Sequence, residues 1–272
     1  MSSLKYRKYK PETTQYNKEK HTILIVEDNF DLCELIYDLL KEKYNIEIAN
    51  NGDEGLKILK KNKSIDLIIS DIMMPIMDGI SFCKIVKSDI STSHLPVILL
   101  TAKYGEESEI EGLKSGADNY ITKPFNEKIL NFKIMNTLAH RESLRNEYQQ
   151  KISIEPSKIT TTSRDQDFID KAIKVVEENM SNEKFNVKIF SSELAMSPST
   201  LLRKIKAITG EPSDGFIRKI RLKRAAQLLK KSQLSITEIC YSIGFSSQKH
   251  FSTAFKNVSG AVVVIHVRAL TL

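Results

Sequence analysis

The chain has 272 residues, of which 41% are hydrophobic and 28% charged, a composition that predicts a folded protein with one or two domains. No apolar run approaches the roughly 18 residues that a membrane-spanning helix needs, so we expect no membrane contact by this chain. The first 20 residues carry six Lys or Arg and no apolar stretch, which excludes a secretory signal peptide. Three widely spaced cysteines without a CxxC motif exclude a disulfide scaffold and a cysteine zinc site, and they indicate a cytoplasmic protein.

The formal net charge of +7 is unevenly distributed along the chain. Residues 1–20 carry a net charge of +4 and almost no aliphatic side chains, so they are predicted to be a flexible tail. Residues 21–140 carry −6, whereas residues 141–272 carry +9. An acidic half followed by a basic half predicts two domains that bind different partners.

The acidic half alternates short apolar runs with stretches of helical spacing. Strands are predicted at 23–26, 46–49, 66–70, 96–100 and 119–122, and helices at 30–43, 53–62, 79–88, 106–115 and 125–140. This alternation predicts an α/β domain over residues 21–142 with a doubly wound, five-stranded parallel sheet. Because the strands are almost continuously apolar, both faces of the sheet are expected to be buried.

The basic half follows a polar segment at 143–163, which contains Pro156 and a Thr/Ser cluster at 160–163 and is predicted to be a linker. From residue 164 to 272, amphipathic segments predict an all-helical domain, and only AVVVI at 261–265 has the composition of a strand. The predicted order is therefore tail, α/β domain, linker and helical domain.

Polar side chains follow four of the five predicted strands. Glu27 and Asp28 come after the first strand, Asp71 after the third, Thr101 after the fourth and Lys123 after the fifth. Since doubly wound sheets bind ligands at the carboxyl ends of their strands, these side chains are predicted to converge. Clustered carboxylates repel one another unless a cation lies among them, and hard oxygen ligands favour Mg²⁺. One carboxylate could then attack a phosphoryl group, while the lysine and the hydroxyl bind its oxygens. Any one of these residues alone could be a solvated side chain at the end of a strand without a function. The complete set favours a site for a metal ion and a phosphoryl group.

The segments ILIVEDN, DLIISDIMMPIMDG, PVILLTAK and GADNYITKPF resemble the receiver domain of bacterial response regulators, which has a flavodoxin-like fold. The resemblance covers residues 21–140 and implies that Asp71 accepts a phosphoryl group from a sensor histidine kinase. The Mg²⁺ ligands that it implies are Glu27, Asp28, Asp71 and the carbonyl of Met73. The implied phosphoryl-contacting and switch residues are Thr101, Ala102, Tyr120 and Lys123. The Lys123–Pro124 bond suits a cis peptide that would aim the lysine.

An internal repeat in the basic half indicates DNA binding more strongly than its charge does. Residues 190–210 align with 239–260, at an offset of 49 positions before the turn and 50 after it. Each copy has the spacing of a helix, a short turn and a second helix. Gly244 allows the positive φ that such a turn needs, whereas Ala195 at the matching place would be strained by about 1 kcal/mol. Ser197 and either Ser246 or Ser247 suit the N-caps of the second helices.

The second helix of each copy has one apolar and one polar face, and residues 199–256 contain 12 Lys or Arg against 3 Asp or Glu. Two such helices could enter successive major grooves of DNA, with basic residues of the joining helix at 217–232 on phosphates. The predicted DNA contacts are Ser199, Thr200, Leu202, Arg203, Lys206, Arg218, Arg221, Gln248, Lys249, Ser252, Thr253 and Lys256.

Residues 165–260 resemble an AraC-type DNA-binding domain, through DKAIKVVEENMSN, LAMSPSTLLRKIKAITGEPSDGFIRKIRLKRAAQLLKKS and ITEICYSIGFSSQKHFSTAFK. A receiver followed by this output domain resembles the last portion of hybrid two-component regulators, and the chain is either such a fragment or a free-standing regulator. After Gly260 the sequence AVVVIHVRALTL departs from the family, which would have a Ser-Pro and aromatic-Arg segment there. This departure puts the closing helix and full DNA affinity in doubt.

The main interpretation is a transcription regulator controlled by phosphorylation, which is not an enzyme in the usual sense. Its expected partners are a sensor histidine kinase, promoter DNA and a second copy of the chain. One alternative is a phosphorelay or interaction module whose DNA binding is impaired by the atypical C-terminus. Another is an Asp-nucleophile phosphatase of the haloacid-dehalogenase type, which usually has a second acid two residues after the nucleophile, where this chain has Met73.

Overall fold

The computed structural model describes residues 16–62, 64–102, 115–150 and 163–259. The chain divides between Arg141 and Glu142 into two compact units. Helices and strands are numbered below in chain order over the described residues.

The first unit contains the predicted five-stranded sheet. Its strands are β1 Thr22–Val26, β2 Asn45–Ala49, β3 Ile65–Asp71, β4 Val97–Thr101 and β5 Asn119–Thr122. All neighbouring strands are parallel, and their order in the sheet is β2-β1-β3-β4-β5. The direction of winding therefore reverses between β1 and β3, which is where doubly wound sheets bind their ligands.

Both faces of the sheet are covered, as the apolar strands predict. Every residue of β1 and β4 is buried. Ile23 and Ile25 belong to one hydrophobic cluster, whereas Leu24 and Val26 belong to a second cluster that contains Phe82. Because successive strand residues point to opposite faces, the two clusters lie on the two sides of the sheet.

Four helices accompany the strands in the described part of this unit: α1 Phe30–Leu40, α2 Gly52–Lys61, α3 Gly79–Ser88 and α4 Glu127–Gln150. The first three have side-chain N-caps, which are Asn29, Asn51 and Asp78. Helix α4 is longer than predicted and continues into the range 143–163 that the sequence predicts as a linker. Most of the helix predicted at 106–115 lies outside the described residues.

The second unit is helical, as predicted. Its described helices are α5 Ser163–Glu178, α6 Val187–Glu193, α7 Pro198–Thr209, α8 Ser213–Lys231, α9 Ile236–Ser242 and α10 Gln248–Ser259. The strand-like AVVVI segment at 261–265 lies outside the described residues. Within the described ranges, no helix has both the length and the apolarity that crossing a membrane requires.

The two copies of the repeat form two helix-turn-helix units. The first helix-turn-helix unit is α6–α7 and the second is α9–α10. Their turns contain the two residues singled out in the sequence: Ala195 has a φ of +53° and Gly244 a φ of +75°. Ser197 caps α7 by accepting a hydrogen bond from the backbone N–H of Thr200, as predicted. Among the described residues, fourteen buried side chains form the cluster of the first helix-turn-helix unit together with α5, and seven form the cluster of the second. Helix α8 contributes to both clusters.

Candidate functional site

Three carboxylates converge at the carboxyl ends of β1 and β3. Asp71 is the last residue of β3, and Glu27 and Asp28 directly follow β1. One oxygen atom from each of the three side chains lies within 4.8 Å of the others. Glu27 is 1% exposed and Asp71 8%, whereas Asp28 is half-buried. The predicted convergence of the acidic residues is therefore present.

Lys123 joins this cluster from the end of β5. Its Nζ lies 2.9 Å from Asp71 Oδ1 and 3.0 Å from Glu27 Oε2, so one ammonium contacts two carboxylates. The Lys123–Pro124 peptide is cis, as the sequence predicts. The backbone N–H of Lys123 also donates a hydrogen bond to the carbonyl oxygen of Thr101, which extends the pairing of β5 with β4 beyond the strands.

The electrostatics of the cluster favour a further cation. Burial raises the pKa of Glu27, and the nearby charge of Asp71 raises it further, although Lys123 opposes both effects. Three carboxylates facing one ammonium leave an excess of negative charge in a poorly solvated position. Hard oxygen donors without histidine or cysteine match the ligand preference of Mg²⁺. Glu27, Asp28 and Asp71 therefore fit the predicted metal.

The Asp71 side chain is oriented by its own loop. The backbone N–H of Ile72 donates a 2.8 Å hydrogen bond to Asp71 Oδ1. Gly79, the first residue of α3, passes so close that an added Cβ would lie 1.9 Å from the backbone oxygen of Asp71. Met73 is 71% exposed in the same loop, and the predicted role of its carbonyl as a metal ligand stays a prediction.

The predicted switch residues lie on β4 and β5 or directly after β4. Thr101 ends β4 and is buried, whereas Ala102 is exposed. Tyr120 is half-buried against the cluster that contains Phe82, and its hydroxyl is 3.3 Å from the hydroxyl of Ser115. Burial raises the pKa of the Tyr120 phenol. Lys133 of α4 donates a hydrogen bond to the Tyr120 carbonyl oxygen, so β5 is attached to α4 next to this ring.

The second helix of each helix-turn-helix unit presents most of its predicted DNA contacts to solvent. In α7, Leu201 and Ile205 are buried, and in α10 Phe251 and Phe255 are buried. On the opposite faces, the exposed predicted contacts are Ser199, Leu202, Lys206, Gln248, Lys249, Thr253 and Lys256, and the half-buried ones are Thr200, Arg203 and Ser252. Arg218 of α8 has a 53% exposed side chain. Each of these side chains is at least partly exposed to solvent.

Arg221 is the exception, because it faces the interior. Its side chain is 9% exposed and donates hydrogen bonds to the carbonyl oxygens of Gly244 and Asn182. The prediction that Arg221 holds a DNA phosphate is therefore wrong. The missed signal was helical periodicity, since Arg221 lies four residues after Ile217 and four before Ala225, both of which are buried.

Two further basic residues of this region are also buried. Lys204 of α7 pairs with Asp165 of α5, and both are almost completely inaccessible. Lys219 of α8 lies 3.8 Å from Glu211, and burial lowers its pKa. The count of basic residues in the sequence thus overstates the positive charge that is available at the surface.

Comparison with protein-family models gives two matches along the chain. A model described as a response regulator receiver domain matches residues 23–134, and a model described as a helix-turn-helix domain matches residues 190–262. The chain contains a response regulator receiver domain and an AraC-type helix-turn-helix domain. The two domains indicate a regulator.

Individual relatives agree with this assignment. The chain is 48% identical over 239 residues to Histidine kinase P4 of Formosa agariphila, which is 88% of this chain and 17% of that protein. It is 42% identical over 117 residues to the transcriptional regulatory protein RprY of Bacteroides fragilis, which is 43% of this chain and 48% of that protein. The chain thus spans about half the length of one curated relative and much less of the other.

One of the solved structures is similar to part of this chain. It is the signal receiver domain of a signal transduction histidine kinase from Syntrophus aciditrophicus, with 36% identity and a TM-score of 0.42. The match covers 44% of this chain and 91% of that structure.

Proposed function

We propose that this chain is the receiving and DNA-binding part of a two-component regulator, phosphorylated on Asp71 by a sensor histidine kinase. The observation that carries the proposal is the cluster of Glu27, Asp28 and Asp71, whose oxygens lie within 4.8 Å of one another, with Lys123 2.9 Å from Asp71. This set combines a nucleophilic carboxylate, metal ligands and a fixed positive charge in one poorly solvated place.

The proposed reaction starts with attack of an Asp71 carboxylate oxygen on the phosphorus of a phosphohistidine. A new P–O bond forms as the P–N bond breaks, and its electron pair leaves with the imidazole nitrogen. Lys123 holds the attacking carboxylate and offers its ammonium to the phosphoryl oxygens. Bound Mg²⁺ would neutralise charge that develops on those oxygens. Hydrolysis of the acyl phosphate by water later returns the Asp71 carboxylate and inorganic phosphate.

Output is proposed to follow from the residues around the new phosphoryl group. Thr101 is the last residue of β4, Ala102 follows it, and Tyr120 lies on the adjacent strand β5. A hydroxyl that binds the phosphoryl group would change the packing around the half-buried Tyr120 ring. This change is proposed to alter the surface of the receiver domain and to favour pairing with a second copy of the chain.

The helix-turn-helix domain is proposed to bind promoter DNA with α7 and α10 in successive major grooves. The exposed faces of these helices carry hydroxyl, amide, basic and apolar groups, which together can contact phosphates and base edges. The two helices differ in composition, so the two half-sites are expected to differ in sequence. Arg218 of α8 supplies a phosphate contact between them.

Phosphorylation is tested by incubating the purified chain with acetyl phosphate and Mg²⁺ and measuring the phosphorylated fraction by intact-mass spectrometry. The wild-type chain is expected to gain one phosphoryl group, and Asp71→Asn none. Asp28→Asn keeps the nucleophile and is expected to react more slowly, with a weaker dependence on Mg²⁺. Phosphorylation of Asp71→Asn at the wild-type rate would exclude the proposed acceptor.

The link to transcription is tested by genome-wide footprinting of the full chain with Asp71 intact or replaced by alanine, under phosphorylating conditions. We expect the protected sites to depend on Asp71. Identical footprints would exclude control by this residue. A chain that accepts phosphate but protects no DNA would instead be a phosphorelay or interaction module, and turnover of small phosphate esters would indicate a phosphatase.

A further inference from the structure

We infer that Arg221 is a positioning residue that holds the second recognition helix, α10, in place for DNA; this inference rests on the proposed DNA binding. Arg221 lies in the middle of α8, the helix that contributes to the cores of both helix-turn-helix units. Only 9% of Arg221 is exposed. Its guanidinium therefore acts inside the domain.

The guanidinium connects three segments of the chain. Its Nη1 donates a 3.1 Å hydrogen bond to the carbonyl oxygen of Gly244, in the turn between α9 and α10. Its Nη2 donates a 2.7 Å hydrogen bond to the carbonyl oxygen of Asn182, in the loop after α5. The planar, forked shape of arginine allows one side chain to reach both carbonyls, which the single ammonium of lysine does not reproduce.

The turn between α9 and α10 packs directly on this guanidinium. Gly244 has a φ of +75°, and an added Cβ would lie 2.7 Å from Arg221 Nη2 and 2.5 Å from the carbonyl oxygen of Met180. There is no room for a side chain on this face of the turn. The start of α10, four residues after Gly244, is therefore fixed by the contact between the turn and Arg221.

Stability alone does not account for an arginine at this position. Burial lowers the pKa of Arg221, and its Nε is buried without a hydrogen-bond partner. No ion pair with a carboxylate compensates it within the described ranges. Because buried charges without an opposite charge are costly, an apolar side chain of similar length would remove that penalty. The arginine instead provides directional contacts that an apolar side chain lacks.

The second helix-turn-helix unit, α9–α10, has the smaller hydrophobic cluster of the two. Among the described residues, which end at Ser259, its cluster contains seven buried residues, whereas the cluster of the first helix-turn-helix unit, which includes residues of α5, contains fourteen. A smaller core fixes the relative position of two helices less strongly, because fewer packed side chains oppose their displacement. The two hydrogen bonds of Arg221 supply directional restraint at the turn that precedes α10. Loss of Arg221 should therefore affect one half of the DNA site more than the other.

The test uses the full chain on a DNA site selected from a random library. Arg203→Ala and Lys249→Ala first identify which half-site each recognition helix occupies. Arg221→Met is then expected to lose protection of the α10 half-site and at least about tenfold in affinity, the effect of one mismatched base pair. Protection of the α7 half-site should be unchanged, because the turn that Arg221 contacts precedes α10 and not α7.

Arg218→Met is the matched control on the same helix. Since Arg218 is exposed, its loss should reduce the magnitude of the slope of log affinity against log salt concentration by about 1. Protection of the two half-sites should fall equally. Arg221→Lys is a milder perturbation of the same contact, and Gly244→Ala is a stronger one that crowds it from the turn. Both should weaken protection of the α10 half-site, and Arg221→Lys tests the inference if Arg221→Met does not fold. An equal loss of protection at both half-sites in Arg221→Met, or unchanged footprints in all three variants, would overturn the inference. Failure of the wild-type chain to bind any DNA would instead overturn the proposed function.

Discussion

Replacing Gly79 with alanine is expected to displace the proposed phosphoacceptor. The added methyl carbon would lie 1.9 Å from the backbone oxygen of Asp71 and 2.9 Å from its carbonyl carbon. Carbon and oxygen atoms pack at about 3.3 Å, so the two backbones must separate by more than about 1 Å. Gly79 cannot retreat freely, because its N–H donates a 2.9 Å hydrogen bond to the carbonyl oxygen of Ile72.

The expected effect on phosphorylation follows from this displacement. A shift of about 1 Å in a reacting group can slow a reaction about 100-fold, and overpacking of this kind costs about 1–3 kcal/mol of stability. The phosphorylation rate of Gly79→Ala with acetyl phosphate and Mg²⁺ is measured by intact-mass spectrometry, and its free energy of unfolding by urea titration. We expect a rate about 100-fold below that of the wild-type chain.

Gly116→Ala separates this effect from a general loss of stability. Gly116 has a φ of +79°, so alanine there is strained by about 1–2 kcal/mol, but its nearest contact would be Lys87 Cγ at 3.6 Å. This variant should be destabilised and still be phosphorylated at close to the wild-type rate. The reasoning is refuted if Gly79→Ala reacts as fast as the wild-type chain, or if Gly116→Ala is slowed to the same extent.

Three further predictions concern other parts of the chain. Ile76 is 84% exposed with a φ of +71°, so Ile76→Asn should raise the free energy of unfolding by about 1 kcal/mol in urea titration, and a lower midpoint would contradict this. Leu202 of α7 is 42% exposed, and contact with a thymine methyl group predicts that replacing that thymine by uracil weakens wild-type binding about fourfold but leaves Leu202→Ala unaffected. Equal weakening of both proteins in a fluorescence titration would exclude that contact. Burial raises the pKa of Cys33 to about 12, and the other two cysteines are also buried, so a thiol reagent at pH 8 should detect three thiols only after unfolding. Rapid reaction of the native chain would contradict this burial.

The elements of the receiver domain were predictable because local signals agree with the fold. Each strand is a short apolar run. Helix α3 begins at the predicted position 79, directly after its N-cap Asp78, and ends at the predicted position 88. The acidic cluster was predictable for the same reason, since its members follow buried strands. Helix α4 was underestimated because residues 141–150 lack apolar periodicity, although Glu, Arg, Leu and Gln favour helix there.

The DNA-binding surface was less predictable, because net charge does not reveal which side chains are exposed. Lys204 lies three residues after the buried Leu201 and four before the buried Ile208, and Arg221 lies four residues after Ile217 and four before Ala225, both also buried. Both basic residues share the inward face of their helices, so periodicity contradicts a role at the surface. Only the three-dimensional structure shows the partners of these buried charges, Asp165 for Lys204 and two backbone carbonyls for Arg221.

The alignment of strand β1 with its neighbours also involves two acidic residues, Asp66 and Glu27. Its central residues Ile23, Leu24, Ile25 and Val26 are interchangeable in hydrophobicity, so a slip by one position would exchange the two clusters without exposing a polar group. The polar groups at its ends distinguish one alignment from another. The Thr22 N–H donates to Asp66 at one end, and at the other Glu27 accepts from the Asn29 N–H. An insertion or deletion in the apolar middle would therefore keep the strand buried while removing Glu27 from the lysine and carboxylate that it faces.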